Sequence, residues 1–217
     1  MPLLLPTRQG YSRAEDATDA VVHVSGIAMA LIAAPILIGV AVLLHHDPAA
    51  IVSTSVYGVA MLAMLVCSAL YNMTRAPRRR AIFRHFDHTA ILCKIAATYT
   101  PFVALSGGQG AWLLTGLWGA AVAGSGFRLF LPNWRVVACL IALGMGWAGV
   151  FAGSDFFDGL SLAVIVLIVT GGCLYSVGVG FFLFDRLPFH YTIWHLFVLA
   201  ATGVFYAAVT VHVVQTA

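Results

Sequence analysis

The side chains able to do chemistry in this sequence are few, and they fall in clusters. Glu15, Asp16, Asp19 and His23 open the first apolar run, and Ser68, Tyr71 and Asn72 close the second. Asp87 and His88 open the third, and His190, Tyr191 and His195 open the last. Carboxylates, imidazoles, a hydroxyl and an amide in such company suit proton transfer or the holding of a metal ion. His23 and His195 lie several residues inside their apolar runs, where a polar ring needs a specific partner. Ser68 is one helical turn from Asn72 on the same face, although a buried serine can equally bond its own helix backbone. Asp87 also suits a helix start, whose dipole favours an acid, and His190 suits the headgroup level. Lys94 is the costliest residue of all, about two turns beyond Asp87 and on nearly the same face. Two readings of it stay open: an interior charge paired with Asp87 or Asp19, or a lysine snorkelling about 10 Å back to the interface.

The elements that must position these groups are membrane helices. Of the residues, 61% are apolar and only 9% charged, whereas a soluble domain needs about a quarter charged residues to solvate its surface. Seven apolar stretches follow one another: Ala20 to Leu44, Ile51 to Tyr71, Thr89 to Leu105, Ala111 to Phe127, Val136 to Ala152, Leu160 to Phe184 and Tyr191 to Val214. Each spans or nearly spans a hydrocarbon core of about 30 Å at a rise of about 1.5 Å per residue. Short connections with turn residues join them, at His45-His46-Asp47-Pro48, Ser106-Gly107-Gly108, Pro132-Asn133, Gly153-Ser154-Asp155 and Leu187-Pro188. The expectation is one integral membrane domain over 1–217, an all-α bundle of seven transmembrane helices. Met1 to Gly10 lack the apolar core of a removable signal peptide, so the first run reads as a span.

Charge placement orients the bundle. Of eleven Lys and Arg residues, all but Lys94 fall in alternate loops on one side: Arg8, Arg13, Arg75, Arg78, Arg79, Arg80, Arg84, Arg128, Arg135 and Arg186. The positive-inside rule then puts the amino terminus in the cytoplasm and the carboxyl terminus outside, and gathers the polar clusters at the cytoplasmic end. The run Arg75 to Arg80 follows a span directly, which suits anionic lipid headgroups better than nucleic acid. Membrane lipids are therefore the expected partners, with no nucleic acid and no protein partner that the residues identify. Cys67, Cys93, Cys139 and Cys173 each sit in an apolar run without a C-x-x-C pair and read as buried small hydrophobes. Gly171-Gly172, Gly178 and Gly180 read as close helix-packing positions.

Several of these segments together resemble the bacterial hemolysin III proteins, within the progestin and adipoQ receptor superfamily. They are Glu15 to His23, Ser68-Ala69-Leu70-Tyr71-Asn72, Phe86-Asp87-His88-Thr89-Ala90-Ile91, Ile95 to Phe102, Gly146-Trp147, Gly171-Gly172 with Tyr175 and Gly178, and Ile193 to Ala200. The similarity runs over about Glu15 to Ala208. The resemblance implies a zinc ion at the cytoplasmic end, held by one histidine of the second helix and two of the seventh in H-x-x-x-H spacing. It also implies that Asp87 and Ser68 serve the metal-bound water or the groups around it. In this chain Asn72 and Tyr191 stand at two of the three ligand positions, so only His195 remains as a metal ligand and zinc binding is in doubt. A shifted site drawing on His23, Asp87, His88 and His195 is an open alternative, with Asn72, Lys94 and Tyr191 as further members of the polar cavity. The resemblance implies a protein of the bacterial inner membrane acting in lipid homeostasis, with a degenerate cytoplasm-facing metal site. The alternatives are a metal-dependent lipid amide hydrolase with rearranged ligands and a pore-forming cytolysin.

Overall fold

The computed structural model describes residues 12–130, 135–184 and 186–217. Arg8, the Pro132-Asn133 turn and Trp134 lie outside the described residues. Among the described residues there are nine helices and no strand: α1 (Arg13–Leu44), α2 (Pro48–Met73), α3 (Pro77–Leu105), α4 (Ala111–Phe130), α5 (Arg135–Gly146), α6 (Ala148–Ala152), α7 (Ser154–Phe157), α8 (Leu162–Leu183) and α9 (His190–Gln215). Four of them, α1, α2, α8 and α9, are long and apolar enough to cross a membrane, and Val136–Gly146 in α5 is a shorter apolar helix.

Several helix ends lie outside the apolar runs because capping, not hydropathy, sets them. The first helix starts at Arg13 rather than Ala20. Ser12 accepts from the Glu15 backbone N–H at 3.2 Å while Glu15 accepts from the Ser12 N–H at 2.8 Å, a reciprocal cap that satisfies two orphan donors. The second is capped by Asp47, which accepts from the Ala49 N–H at 2.9 Å with Pro48 at its first position. Pro77 starts α3 three turns before Thr89, which puts Arg78, Arg79 and Arg80 in that helix's first turn.

The α1–α9 seam positions the chemistry. These helices run parallel, since contacts between them climb in step. The Phe189 N–H donates to Glu15 Oε1 at 2.8 Å, the Thr18 and Thr192 hydroxyls meet at 3.2 Å, and the Tyr206 hydroxyl donates to the Ala33 carbonyl at 2.9 Å. At the far end His45 Nε2 donates to the Val213 carbonyl at 2.7 Å, so this histidine closes the seam. The buried face of α1 reads Asp19, His23, Gly26, Ala30, Ala34, Leu37, Ala41, a three-and-four spacing of mostly small residues that admits close helix approach in a membrane. Gly26 shows how close: a Cβ there would meet Leu199 Cδ1 at 3.2 Å.

The fifth apolar stretch is not one helix to Ala152; it breaks at Gly146–Trp147 between α5 and α6. Tyr99 on α3 repairs the break, its hydroxyl donating to the Gly146 carbonyl at 2.7 Å and accepting from the Gly149 N–H at 3.2 Å. Backbone groups freed inside a bilayer need such a partner, because lipid supplies none. The glycines of α8 pack against rings as their type suggests: a Cβ at Gly171 would lie 2.6 Å from the Phe205 ring and one at Gly178 2.8 Å from Phe197 Cβ. Gly180 meets nothing within 4 Å. The cysteines are not fully buried: three are half-buried and Cys173 is exposed, and none of them forms a disulfide.

Tyr99→Phe removes both bonds at the α5–α6 break while keeping the ring. It should cost about 1–3 kcal/mol, seen as a lower thermal midpoint of the detergent-purified protein, with Tyr206→Phe, whose hydroxyl meets a single carbonyl, costing less.

Candidate functional site

Three of the polar groups named from the sequence, on two helices, converge. Asp19 and His23 stand one turn apart on α1, and His195 faces them from α9. Asp19 Oδ1 accepts from His195 Nδ1 at 2.5 Å, and Asp19 Oδ2 lies 3.6 Å from His23 Nε2. The two imidazole rings are 4.3 Å apart between centroids. All three residues are buried, with exposures of 7%, 4% and 7%, so the carboxylate has exchanged water for two imidazoles. An acid buried without such partners would be too costly to keep.

Asp19 fixes the state of His195. With the Nδ1 proton held by the carboxylate, Nε2 presents its lone pair toward Asn72, whose Nδ2 lies 3.5 Å away. Asn72 is itself steadied from α2, donating to the Ser68 carbonyl at 2.9 Å and standing 3.4 Å from Ser68 Oγ. A chain of groups therefore runs Asp19, His195, Asn72, Ser68, from α1 through α9 to α2.

These groups lie in the wall of one cavity of about 280 Å³, bounded by α1, α2, α3, α5, α8 and α9. His23, Ser68, Asn72, Asp87, His88, Lys94, Tyr191 and His195 all border it, and most of the remaining lining is apolar. Asp87 is buried, and the His88 ring packs 6.2 Å from that of Tyr71; neither belongs to the convergent set. Tyr191 sits with its ring 6.0 Å from His195 and edge-on to Phe182. His190 is turned away: it is buried, and its Nδ1 donates to the Leu187 carbonyl at 3.0 Å.

Lys94 takes neither role expected of it. It is 2% exposed, so it does not snorkel. Its ammonium donates to Tyr175 Oη at 3.1 Å and sits 5.0 Å from the centroids of the Tyr175 and Phe205 rings, not against Asp87 or Asp19. Asp19 is committed to the histidines.

Two ligand sets can be tested against this geometry. The set implied by the resemblance, at positions 72, 191 and 195, does not fit a zinc ion. An amide N–H faces the lone pair of the one histidine, and a phenol with an ordinary pKa of about 10 is a poor ligand at neutral pH. Asp19, His23 and His195 do fit: one donor atom from each lies within 4.8 Å of the others. His23 Nε2 is moreover buried without a hydrogen-bond partner, which leaves a lone pair free for an ion. Asp19 is the member that the shifted ligand set read from the sequence left out. Its i, i+4 spacing from His23 was the available signal, but its partner is 176 residues away.

A family model described as haemolysin-III related matches residues 11–206. The chain is 35% identical to "Hemolysin-3" of Bacillus cereus over 214 residues, 97% of each chain. It is 32% identical to "Hemolysin-3 homolog" of Bacillus subtilis over 206 residues, 93% of this chain and 95% of the other. It is also 29% identical to "Monocyte to macrophage differentiation factor" of Homo sapiens over 193 residues, 83% and 79% of the two.

The tautomer of His195 is a direct readout of this site. In chelator-treated protein with labelled histidines, nitrogen NMR should show His195 protonated at Nδ1, and Asp19→Leu should abolish that preference while Asn72→Leu preserves it.

Proposed function

This chain belongs to the haemolysin-III related family, and from that premise we propose that it acts on membrane lipids from within the bilayer, in lipid homeostasis. It is an integral multi-pass membrane protein; the reading adds that it sits in the bacterial inner membrane as one seven-helix domain, amino terminus inside. The observation that carries the proposal is the convergence of Asp19, His23 and His195 in the wall of a mostly apolar cavity. An apolar cavity with a few convergent polar groups is the common form of a small-molecule site, and inside a bilayer the molecule at hand is a lipid.

In this reading the centre holds zinc on Asp19, His23 and His195. Three protein ligands leave a fourth position open, and zinc there supplies a Lewis acid and a bound water of lowered pKa. With Nδ1 of His195 given to the ion, its Nε2 carries the ring proton, and the Asn72 amide accepts it once it turns its Oδ1 in place of Nδ2. Such an outer partner fixes ring orientation and strengthens the ligand. Asn72 thus becomes a support of the centre in a position where the family resemblance implies a ligand.

The same convergence favours hydrolysis of a lipid amide as a second reading. Ser68 and Asp87 border the cavity beside the centre, where they could orient an amide and carry its protons. The pore suggested by the relatives' printed names has less support. Beyond His23 the buried face of α1 is Gly26, Ala30, Ala34, Leu37 and Ala41, and a conducting path needs polar lining through the bilayer.

Elemental mass spectrometry of the purified protein should find about one zinc per chain. His195→Ala and Asp19→Asn should lose it, and Asn72→Ala should bind it about 10- to 100-fold more weakly. In a deletion strain, membrane lipid composition should shift and be restored by the wild-type chain. Unchanged lipids would overturn the homeostasis reading, and metal-free wild-type protein would overturn the centre.

A further inference from the structure

The Lys94 ammonium lies well away from the centre just described. It is seven residues past Asp87 on α3, and its neighbours Thr202 and Phe205 are seven and ten residues past His195 on α9. At about 1.5 Å per residue this places it about 10 Å deeper along the bundle. An ammonium has three donors. One goes to Tyr175 Oη at 3.1 Å, and that hydroxyl meets Thr202 Oγ1 at 2.9 Å. The Tyr175 and Phe205 rings, at 5.0 Å, partly offset the charge. Among the described residues no carboxylate lies within ion-pair reach of it. Lys94, Tyr175 and Phe205 all border the cavity.

A cation kept in a membrane interior normally faces an acid of its own chain. Here the described residues supply hydroxyls and rings but no negative charge, and the space beside them is mostly apolar. We infer that Lys94, with Tyr175, is the anchor for the carboxylate of a single-chain amphiphile held in the cavity. A volume of about 280 Å³ is at the small end of ligand sites and suits one acyl chain rather than a two-chain phospholipid. A carboxylate takes up the ammonium's remaining donors as a charge-assisted bond, while an ester or alcohol of the same chain leaves the cation unpaired. Lys94 and Tyr175 are distinct from the Asp19–His23–His195 centre, although His23 and His195 border the same cavity, and the inference does not rest on metal being bound there.

The test is photolabelling of the full-length protein in detergent with a diazirine palmitate, competed by palmitate, methyl palmitate or hexadecanol. Wild-type protein should label saturably on α3, α8 and α9, with palmitate competing at least tenfold better than the ester or alcohol. Lys94→Met should weaken binding about 10- to 150-fold, and Lys94→Arg should retain part of it. If Lys94→Met fails to fold, Tyr175→Phe should still weaken palmitate several-fold, and the preference of wild-type protein for acid over ester needs no variant. Equal competition by acid and alcohol would overturn the inference. So would unchanged labelling of a folded Lys94→Met protein.

Discussion

The structure depends on the contact between Asp19 and His195. A carboxylate seven residues into a membrane helix has no water to hold its charge, so it must find donors within the protein. The donor is the His195 imidazole on α9, with the His23 imidazole one turn along its own helix at 3.6 Å. Because α1 and α9 run parallel, fixing that contact fixes the register of the whole seam. Glu15 then meets the Phe189 N–H, Thr18 meets Thr192, Gly26 meets Leu199 and Tyr206 meets Ala33. Between bilayer-embedded helices the apolar face supplies little directional preference, since lipid tails are as apolar as leucine. The small residues of α1 allow close approach; the polar contacts decide where along the helix it happens.

The same contact accounts for the two residues that depart from the family pattern. With Asn72 and Tyr191 in place of histidines, the corner between α2 and α9 has no ligand set of its own. An acid on α1 turns His195 the other way, with Nδ1 toward α1 and Nε2 toward the Asn72 amide. In the proposed reading the centre lies on the α1–α9 seam, with His23 one helical turn from Asp19. Asn72 and Ser68 remain as an ordered hydrogen-bonded edge between that seam and α2.

Much of the helical pattern was legible in the sequence, because apolar runs and turn residues are local signals. The helix ends were read less well. Ser12 and Glu15 form a capping box that extends α1 by two turns past the apolar run, and hydropathy alone does not register it. The break at Gly146 has no mark in hydropathy either, since its repair is a tyrosine hydroxyl on another helix, 47 residues away. At the site, the polar groups were named, but Asp87 rather than Asp19 was put in the site. Asp87 carries the more recognisable motif, while Asp19 lies closer to His195 in space. Lys94 was read either as paired with an acid or as snorkelling; it is held by a phenol and two rings from α8 and α9, contacts that only the packing of three helices creates.

The claim that Asp19 and His195 set the seam together is tested most directly by a double-mutant cycle. Unfolding free energies of wild type, Asp19→Asn, His195→Asn and the double variant would be measured in one detergent after removal of metal. Each single change leaves a buried group without its partner and should cost about 3–5 kcal/mol. The double variant should recover a coupling of about 2–3 kcal/mol, as residues in contact do. Additive losses, with coupling below about 0.5 kcal/mol, would show that the two side chains fold independently and would contradict the account.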